Sequence, residues 1–218
     1  MKTQDRYDQM IARFEREMPV AETELHYDNP FQLLVAVILS AQCTDKRVNM
    51  VTPALFAAYP DAAAMAQASA DDILSYIHSV SYPNSKSRHL ADMARMLDSE
   101  FGGVVPSDID ALQRLPGVGR KTANVVAAVV FDLPAMPVDT HVFRVSNRIG
   151  LTRNSKTPLE TERTLVKHIP AEKLSTAHHW LILHGRYVCQ ARKPKCEACF
   201  LADICDYNLK ALKKGGNQ

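Results

Sequence analysis

The feature that most constrains this chain is Leu-Pro-Gly-Val-Gly-Arg-Lys-Thr-Ala at residues 115–123. Apolar spacing on both sides predicts helices, so the segment of about 107–131 is expected to be two helices joined by a tight turn. Pro116 ends the first helix. Two glycines one residue apart, Gly117 and Gly119, permit positive φ angles that other residues resist. The sequence therefore predicts a helix-hairpin-helix in which the first backbone N–H groups of the second helix point into the hairpin.

The hairpin is predicted to bind phosphate, because free N–H groups at a helix N-terminus bind anions. Its spacing is not that of a nucleotide-binding loop, so the sugar–phosphate backbone of a nucleic acid is the expected ligand. The hairpin residues expected to contact DNA are Leu115, Gly117, Val118, Gly119 and Arg120. The alternative interpretation is a glycine-rich turn that only joins two helices.

Helical periodicity runs through the whole chain, and no segment shows sustained strand-like alternation. Asn29-Pro30 provides an N-cap and a proline at N1 before the apolar run 31–39, which is predicted to be a central buried helix. The β-branched content of this run also suits a buried strand, but its length and cap favour a helix. The pattern Thr157-Pro158-Leu159-Glu160 predicts a capping box. The predicted fold class is all-α.

Four of the five cysteines lie close together near the end of the chain: Cys189, Cys196, Cys199 and Cys205, separated by six, two and five residues. Four thiolates at such spacing suit a tetrahedral Zn²⁺ or a 4Fe–4S cluster. The N-terminus has no export signal, so a disulfide framework is not expected. Cys43 stands apart and is predicted to be a thiol without a metal.

These blocks resemble the endonuclease III family of DNA glycosylases. The resemblance rests on the hairpin, on Leu-Ser-Ala-Gln-Cys-Thr-Asp at 39–45, on Val-Asp-Thr-His-Val-Phe-Arg-Val at 138–145 and on the cysteine spacing, and it extends over nearly the whole chain. The C-x6-C-x2-C-x5-C spacing is similar to the iron–sulfur loop of that family. The resemblance therefore implies a structural 4Fe–4S cluster, with zinc as the alternative.

The resemblance also implies a domain organisation, the helix-hairpin-helix DNA glycosylase fold. One domain is expected to be a six-helix barrel over residues 22–135, which contains the helix-hairpin-helix at about 107–131. The other is expected to be discontinuous, joining 1–21 to 136–218 and carrying the cluster loop at 189–205. The active site is expected in the cleft between the two.

The catalytic pair that the resemblance implies is Lys121 with Asp139. The lysine amine would displace the damaged base at C1′ and form a Schiff base, and the strand would then break 3′ to the lesion by β-elimination. A positive helix end and partial burial are expected to increase the neutral fraction of this amine. Asp139 is predicted to be a helix N-cap that also stabilises the cationic sugar. The alternatives are a solvated or phosphate-contacting lysine and an aspartate that only caps.

Other residues are assigned to DNA by the resemblance alone. Gln42 is expected to fill the gap that the flipped base leaves. Many relatives have Gly-Leu-Tyr-Asn-Ser-Lys with a wedging leucine, whereas this chain has Ser-Tyr-Pro-Asn-Ser-Lys at 81–86 and so places Tyr82 at the wedge. An aromatic ring can stack where an aliphatic side chain would insert. Asp45 is expected to shape the base pocket or to cap the next helix. His141 is assigned to the pocket as a packing residue rather than as a proton donor.

The net charge of +2 does not by itself point to nucleic acid, but basic residues gather in the last third of the chain. Arg192, Lys193 and Lys195 lie between the first two cysteines of the loop and are expected to contact phosphates. Arg144 is expected to contact the DNA backbone or to brace the cleft. The expected partner is double-stranded DNA with damaged bases or abasic sites, bound by a monomer in a bacterial-type cytoplasm with no membrane span.

The leading hypothesis is a bifunctional DNA glycosylase and abasic-site (AP) lyase of base excision repair, acting on oxidised pyrimidines. One alternative is a glycosylase for mismatched or other modified bases, because the base pocket is not evident from the sequence. Another is a non-catalytic iron–sulfur DNA-binding module, which the presence of both Lys121 and Asp139 disfavours. Adenine-specific relatives lack a lysine at this position, so the lysine also argues against their activity.

Overall fold

The computed structural model describes residues 2–215, and its regular secondary structure over that range is helical, with no strand. The all-α prediction is confirmed. The chain divides into two compact units, Thr23–Leu133 on the one hand and Met1–Glu22 with Pro134–Gln218 on the other. The predicted domain boundaries stay a prediction.

The unit Thr23–Leu133 is built around one helix that is buried along most of its length. Its helices are α2 (Pro30–Ser40), α3 (Asp45–Ala58), α4 (Ala62–Ala66), α5 (Ala70–Ile77), α6 (Pro83–Phe101), α7 (Ile109–Arg114) and α8 (Arg120–Val130). Asn29 caps α2 as predicted, because its side chain accepts from the N–H of Gln32 at 2.9 Å. Every residue from Phe31 to Leu39 is buried, which confirms a central helix.

The second unit joins the N-terminal helix to the C-terminal part of the chain. Its helices are α1 (Thr3–Glu17), α9 (Thr140–Ile149), α10 (Pro158–His168), α11 (Leu174–Tyr187) and α12 (Asp206–Gly215). Phe14 of α1 stacks on Trp180 of α11, with ring centroids 5.5 Å apart. Arg13 of α1 pairs with Asp203, which ties α1 to the segment just before the last cysteine.

Two local features differ from the prediction. Thr157 caps α10 by accepting from the N–H of Glu160 at 3.2 Å. The Glu160 carboxylate accepts from the N–H of Lys156 at 2.6 Å, so only the threonine half of the predicted capping box is confirmed. Helix α12 was not predicted, because its apolar stripe is short.

Within the described residues no helix has the length and apolar character needed to cross a membrane.

Candidate functional site

The hairpin between α7 and α8 needs glycine at only one of its two glycine positions. Gly117 has a φ of +80°, and a Cβ placed there would lie 2.9 Å from Cβ of His89 on α6. Gly119 has φ −88° and ψ 176°, so it does not use the positive φ that glycine permits. The reason is that Gly119 is the N-cap of α8, and N-cap residues take extended backbone angles.

The N-terminus of α8 is open to an anion. Helix α8 begins at Arg120, and no side chain caps it among the described residues. The backbone donors of its first turn therefore lack an intrahelical acceptor. A Cβ on Gly119 would meet no atom within 4 Å, so packing does not require the glycine, and glycine is one of the residues favoured at an N-cap. Close approach of a phosphate to this backbone stays a prediction.

The predicted hairpin residues divide into buried anchors and exposed groups. Leu115 and Val118 are only 2% and 6% exposed, so their side chains fix the hairpin and only their backbones remain to contact a ligand. Arg120 and Lys121 are exposed. The expected partial burial of Lys121 is wrong for the free protein, because the buried face of α8 is formed by residues such as Ala123 and Val126.

Asp139 is the N-cap of α9, as predicted. Its Oδ1 accepts from the N–H groups of His141 at 2.9 Å and Val142 at 2.8 Å. The segment leading into Asp139 is also held, because Nδ1 of buried His178 donates to the carbonyl of Pro137 at 2.9 Å. His178 was not predicted, because its position beside Pro137 depends on how α11 packs.

Arg144 and His141 lie where α9 packs on α11. Arg144 donates to the carbonyls of Gly185 at 2.9 Å and Cys189 at 3.2 Å, and it lies 3.2 Å from Nδ1 of His141. A Cβ on Gly185 would lie 2.9 Å from Cβ of His141, so the two helices approach closely. These contacts fit the predictions that Arg144 is a bracing residue and that His141 is a packing residue. Contact of either side chain with DNA stays a prediction.

Gln42 and Tyr82 are exposed and lie on two loops that are bonded together. Both have left-handed backbones, with φ of 54° and 55°. The hydroxyl of Ser81 donates to the carbonyl of Gln42 at 2.8 Å. Asp45 does not cap α3, since Thr44 is the N-cap and accepts from the N–H of Arg47 at 3.3 Å. The pocket assignment of Asp45 stays a prediction.

Lys86, which was not predicted as a site residue, holds the Gln42 loop by hydrogen bonds to the backbone just before Gln42. Its side chain is almost fully buried, and Nζ donates to the carbonyls of Leu39 at 2.8 Å and Ala41 at 2.7 Å. Burial lowers the pKa of the Lys86 amine. The two carbonyls lie at the C-terminal end of α2, where a positive charge is favourable.

The four C-terminal cysteines line one cavity, and apolar residues such as Ile149 and Leu201 complete its wall. Within residues 2–215, no three His, Cys, Asp or Glu side chains are arranged to hold a single metal ion. Four cysteine thiolates are a ligand set that a 4Fe–4S cluster uses, so the residues that line this cavity fit the cluster.

The loop between Cys189 and Cys196 is held by an arginine that was not predicted. Arg148 of α9 donates to the carbonyls of Gln190 and Ala191, each at 2.7 Å. Its guanidinium also lies 4.6 Å from the ring centroid of Tyr207. The basic residues that follow in this loop, Arg192, Lys193 and Lys195, are exposed.

Comparisons with known proteins agree with the predicted resemblance. Residues 35–171 match the HhH-GPD superfamily of base excision DNA repair proteins, and residues 189–205 match the iron–sulfur binding domain of endonuclease III. The class is therefore a base excision DNA repair protein with a helix-hairpin-helix and an iron–sulfur domain. The predicted 4Fe–4S cofactor is confirmed by this match.

Individual relatives show which family within this class the chain resembles. Endonuclease III of Rickettsia conorii is 49% identical over 199 residues, which cover 90% of this chain and 94% of the relative. Endonuclease III of Escherichia coli K12 is 44% identical over 202 residues, covering 93% and 95%. The chain belongs to the endonuclease III family.

Comparison with solved structures supports the same family assignment. A trapped endonuclease III–DNA covalent intermediate has a TM-score of 0.92 and 42% identity, covering 97% of this chain and 100% of that one. A thermostable thymine-DNA glycosylase, 24% identical with a TM-score of 0.84, shares the fold.

Proposed function

We propose that this chain is a bifunctional DNA glycosylase and AP lyase that excises oxidised pyrimidines from double-stranded DNA and cleaves the strand 3′ to the abasic site. Membership of the endonuclease III family supports the activity. The observation that carries the residue assignment is the exposed amine of Lys121 in the first turn of α8, directly after the uncapped hairpin. A duplex held by its phosphates at the hairpin would present a sugar close to this amine.

Lys121 is the proposed nucleophile. Its neutral amine attacks C1′ of the flipped nucleotide, and the base leaves with the electrons of the glycosidic bond. Opening of the sugar then gives the Schiff base. Loss of a proton from C2′ expels the 3′ phosphate by β-elimination, and water releases the lysine.

Asp139 is proposed to stabilise positive charge on the sugar and to assist the proton transfers. Both N-cap bonds end on the same oxygen, Oδ1, so capping occupies one edge of the carboxylate. The other oxygen keeps its lone pairs for the substrate. The bond from His178 to Pro137 fixes the backbone just before Asp139, which limits the positions that this carboxylate can take. Capping and catalysis are therefore compatible.

Base flipping costs a few kcal/mol, which is least for damaged pairs. We propose that Gln42 fills the gap in the stack and that Tyr82 wedges beside it. Tyr82 is 62% exposed, which is unusual for a tyrosine at a helix start and leaves its ring available to stack on a base.

The remaining contacts are proposed to go to phosphates. The hairpin backbone would hold one phosphate, and Arg192, Lys193 and Lys195 would contact others. Cys189, Cys196, Cys199 and Cys205 would hold the 4Fe–4S cluster, which when bound cross-links this loop. Arg148 and Arg144 fix the start of the loop through its backbone carbonyls. We also propose that the protein acts as a monomer in the cytoplasm, on the bacterial nucleoid.

Borohydride trapping tests this proposal. Duplex DNA with thymine glycol or an abasic site is incubated with the wild type, with Lys121→Ala and with Lys167→Ala, an exposed lysine of α10 that serves as the control. We expect a covalent adduct from the wild type and the control but none from Lys121→Ala. An adduct that persists in Lys121→Ala would overturn the assignment.

The same experiment separates the alternative functions. Tight DNA binding without any adduct or base release would support a non-catalytic module. Release of mismatched bases in preference to thymine glycol would support the mismatch glycosylase.

A further inference from the structure

The described residues include four non-glycine residues with positive φ, and two of them are unexpected. Asp132 and Asn154 belong to residue types that adopt the left-handed region comparatively easily. Gln42 and Tyr82 do not. Tyr82 is further restricted because Pro83 follows it, and a residue before proline prefers an extended backbone. Such strain persists only where the surrounding structure enforces it, and it is typical of functional positions.

Ser81 enforces the two conformations together. Its hydroxyl donates to the carbonyl of Gln42 at 2.8 Å, across 39 residues of sequence. Ser81 is also the residue directly before Tyr82, so one hydrogen bond joins the two strained loops.

Lys86 enforces the same arrangement from inside the unit. It lies in the first turn of α6, which starts directly after Tyr82, and its ammonium donates to two carbonyls just before Gln42. The Gln42 loop is thus bonded to the start of α6 at two points, through Ser81 and through Lys86. The side chains of Gln42 and Tyr82 take no part in these bonds and remain exposed.

We propose that Ser81 and Lys86 are positioning residues that join Gln42 and Tyr82 into one preformed wedge for the gap in the DNA stack. This inference rests on the proposed function, since it assigns both exposed side chains to the duplex. A preformed wedge has already lost the conformational freedom that insertion would otherwise remove. Loss of the tether should therefore weaken insertion and base flipping while the Schiff-base chemistry of Lys121 remains intact.

The test compares Ser81→Ala with Ser99→Ala, a matched control. Ser99 lies near the other end of α6, and its hydroxyl likewise donates to a backbone carbonyl, that of Arg95, at 2.8 Å. Single-turnover excision of thymine glycol is measured beside the fluorescence of a 2-aminopurine placed opposite the lesion, which reports unstacking. We expect Ser81→Ala to reduce insertion and excision by about three- to ten-fold, as for the loss of one hydrogen bond. Ser81→Thr keeps the hydroxyl and should restore both.

A double-mutant cycle separates positioning from general stability. In a Gln42→Ala, Tyr82→Ala background there is no wedge to position, so Ser81→Ala should have no further effect on excision. Hydrogen exchange of residues 40–44 in the free protein should be faster in Ser81→Ala than in Ser99→Ala. An additive effect in the double-mutant background would overturn the proposal, as would equal behaviour of the two serine variants.

Lys86→Met tests the second tether and is compared with the wild type at equal folded fraction. We expect a larger loss of insertion than in Ser81→Ala, since two bonds and a buried charge are removed. Borohydride trapping on a preformed abasic site keeps the two proposals distinguishable. An adduct from wild type and from Ser81→Ala, with no change in excision, would contradict the wedge proposal and leave the proposed function standing. Absence of an adduct from the wild type would contradict the proposed function itself.

Discussion

Gly117→Ala should destabilise the hairpin strongly, whereas Gly119→Ala should not. At φ +80° an alanine is in the left-handed region, which costs an L-residue about 1–2 kcal/mol. The added Cβ would also lie 2.9 Å from Cβ of His89, well inside the optimum of about 3.5–4.0 Å between carbon atoms. Overpacking of this kind costs about 1–3 kcal/mol. The expected loss for Gly117→Ala is therefore about 2–5 kcal/mol.

Gly119→Ala provides the matched comparison. Its φ of −88° suits alanine, and the new Cβ would meet nothing within 4 Å. Alanine is a poorer N-cap than glycine, but it also restricts the unfolded chain, so the net change should stay within about 1 kcal/mol. DNA binding should nevertheless weaken for duplexes of any sequence, because the methyl group lies where a phosphate would approach.

The assay is urea unfolding followed by circular dichroism, with thermal unfolding as a second measurement. For a chain of this size each kcal/mol corresponds to roughly 2–4 °C in Tm. Adding His89→Ala should rescue Gly117→Ala only in part, because the closest atom, Cβ, is retained. Equal stabilities for the Gly117→Ala and Gly119→Ala proteins would refute the reasoning.

Four further predictions concern the catalytic, loop and core residues. Asp139→Asn should keep the stability within about 0.5 kcal/mol, since both residues cap well, while single-turnover excision falls by about 10²–10⁴-fold. Arg148→Met should release the cysteine loop, measured as faster loss of iron to a chelator. Lys193→Ala should reduce the slope of log affinity against log salt by about 1. Burial lowers the pKa of His179 in the folded protein. As the pH falls through about 6.5, the unfolded state therefore binds the proton first, which favours unfolding. The wild type should lose more stability between pH 7.5 and 5.5 than His179→Phe.

Local sequence rules predicted the helices and their caps. Asn29 and Asp139 were predicted as N-caps because a cap depends on residues two or three positions away, and both are confirmed. The sequence did not show which of the two hairpin glycines uses a positive φ, because that depends on how the turn is built; only Gly117 does. The exposure of Lys121 was missed because burial depends on which face of α8 packs.

Hydrogen bonds between residues far apart in the chain could not be predicted from the sequence. Lys86 contacts carbonyls 45 and 47 residues away, and nothing in its neighbours indicates a buried ammonium. Ser81 likewise finds Gln42 only after α2 and α6 have packed. The departure at Ser81-Tyr82-Pro83 was visible in the sequence, but its meaning depends on a tertiary hydrogen bond. These residues are the part of the site that required a structure.

The central claim is that Lys121 forms the covalent intermediate. The most direct measurement is to trap the adduct with borohydride, digest protein and DNA, and locate the modified lysine by mass spectrometry. We expect the modification on the peptide that contains Lys121 and on no other lysine. Modification of a different amine, such as the buried Lys86, would contradict it.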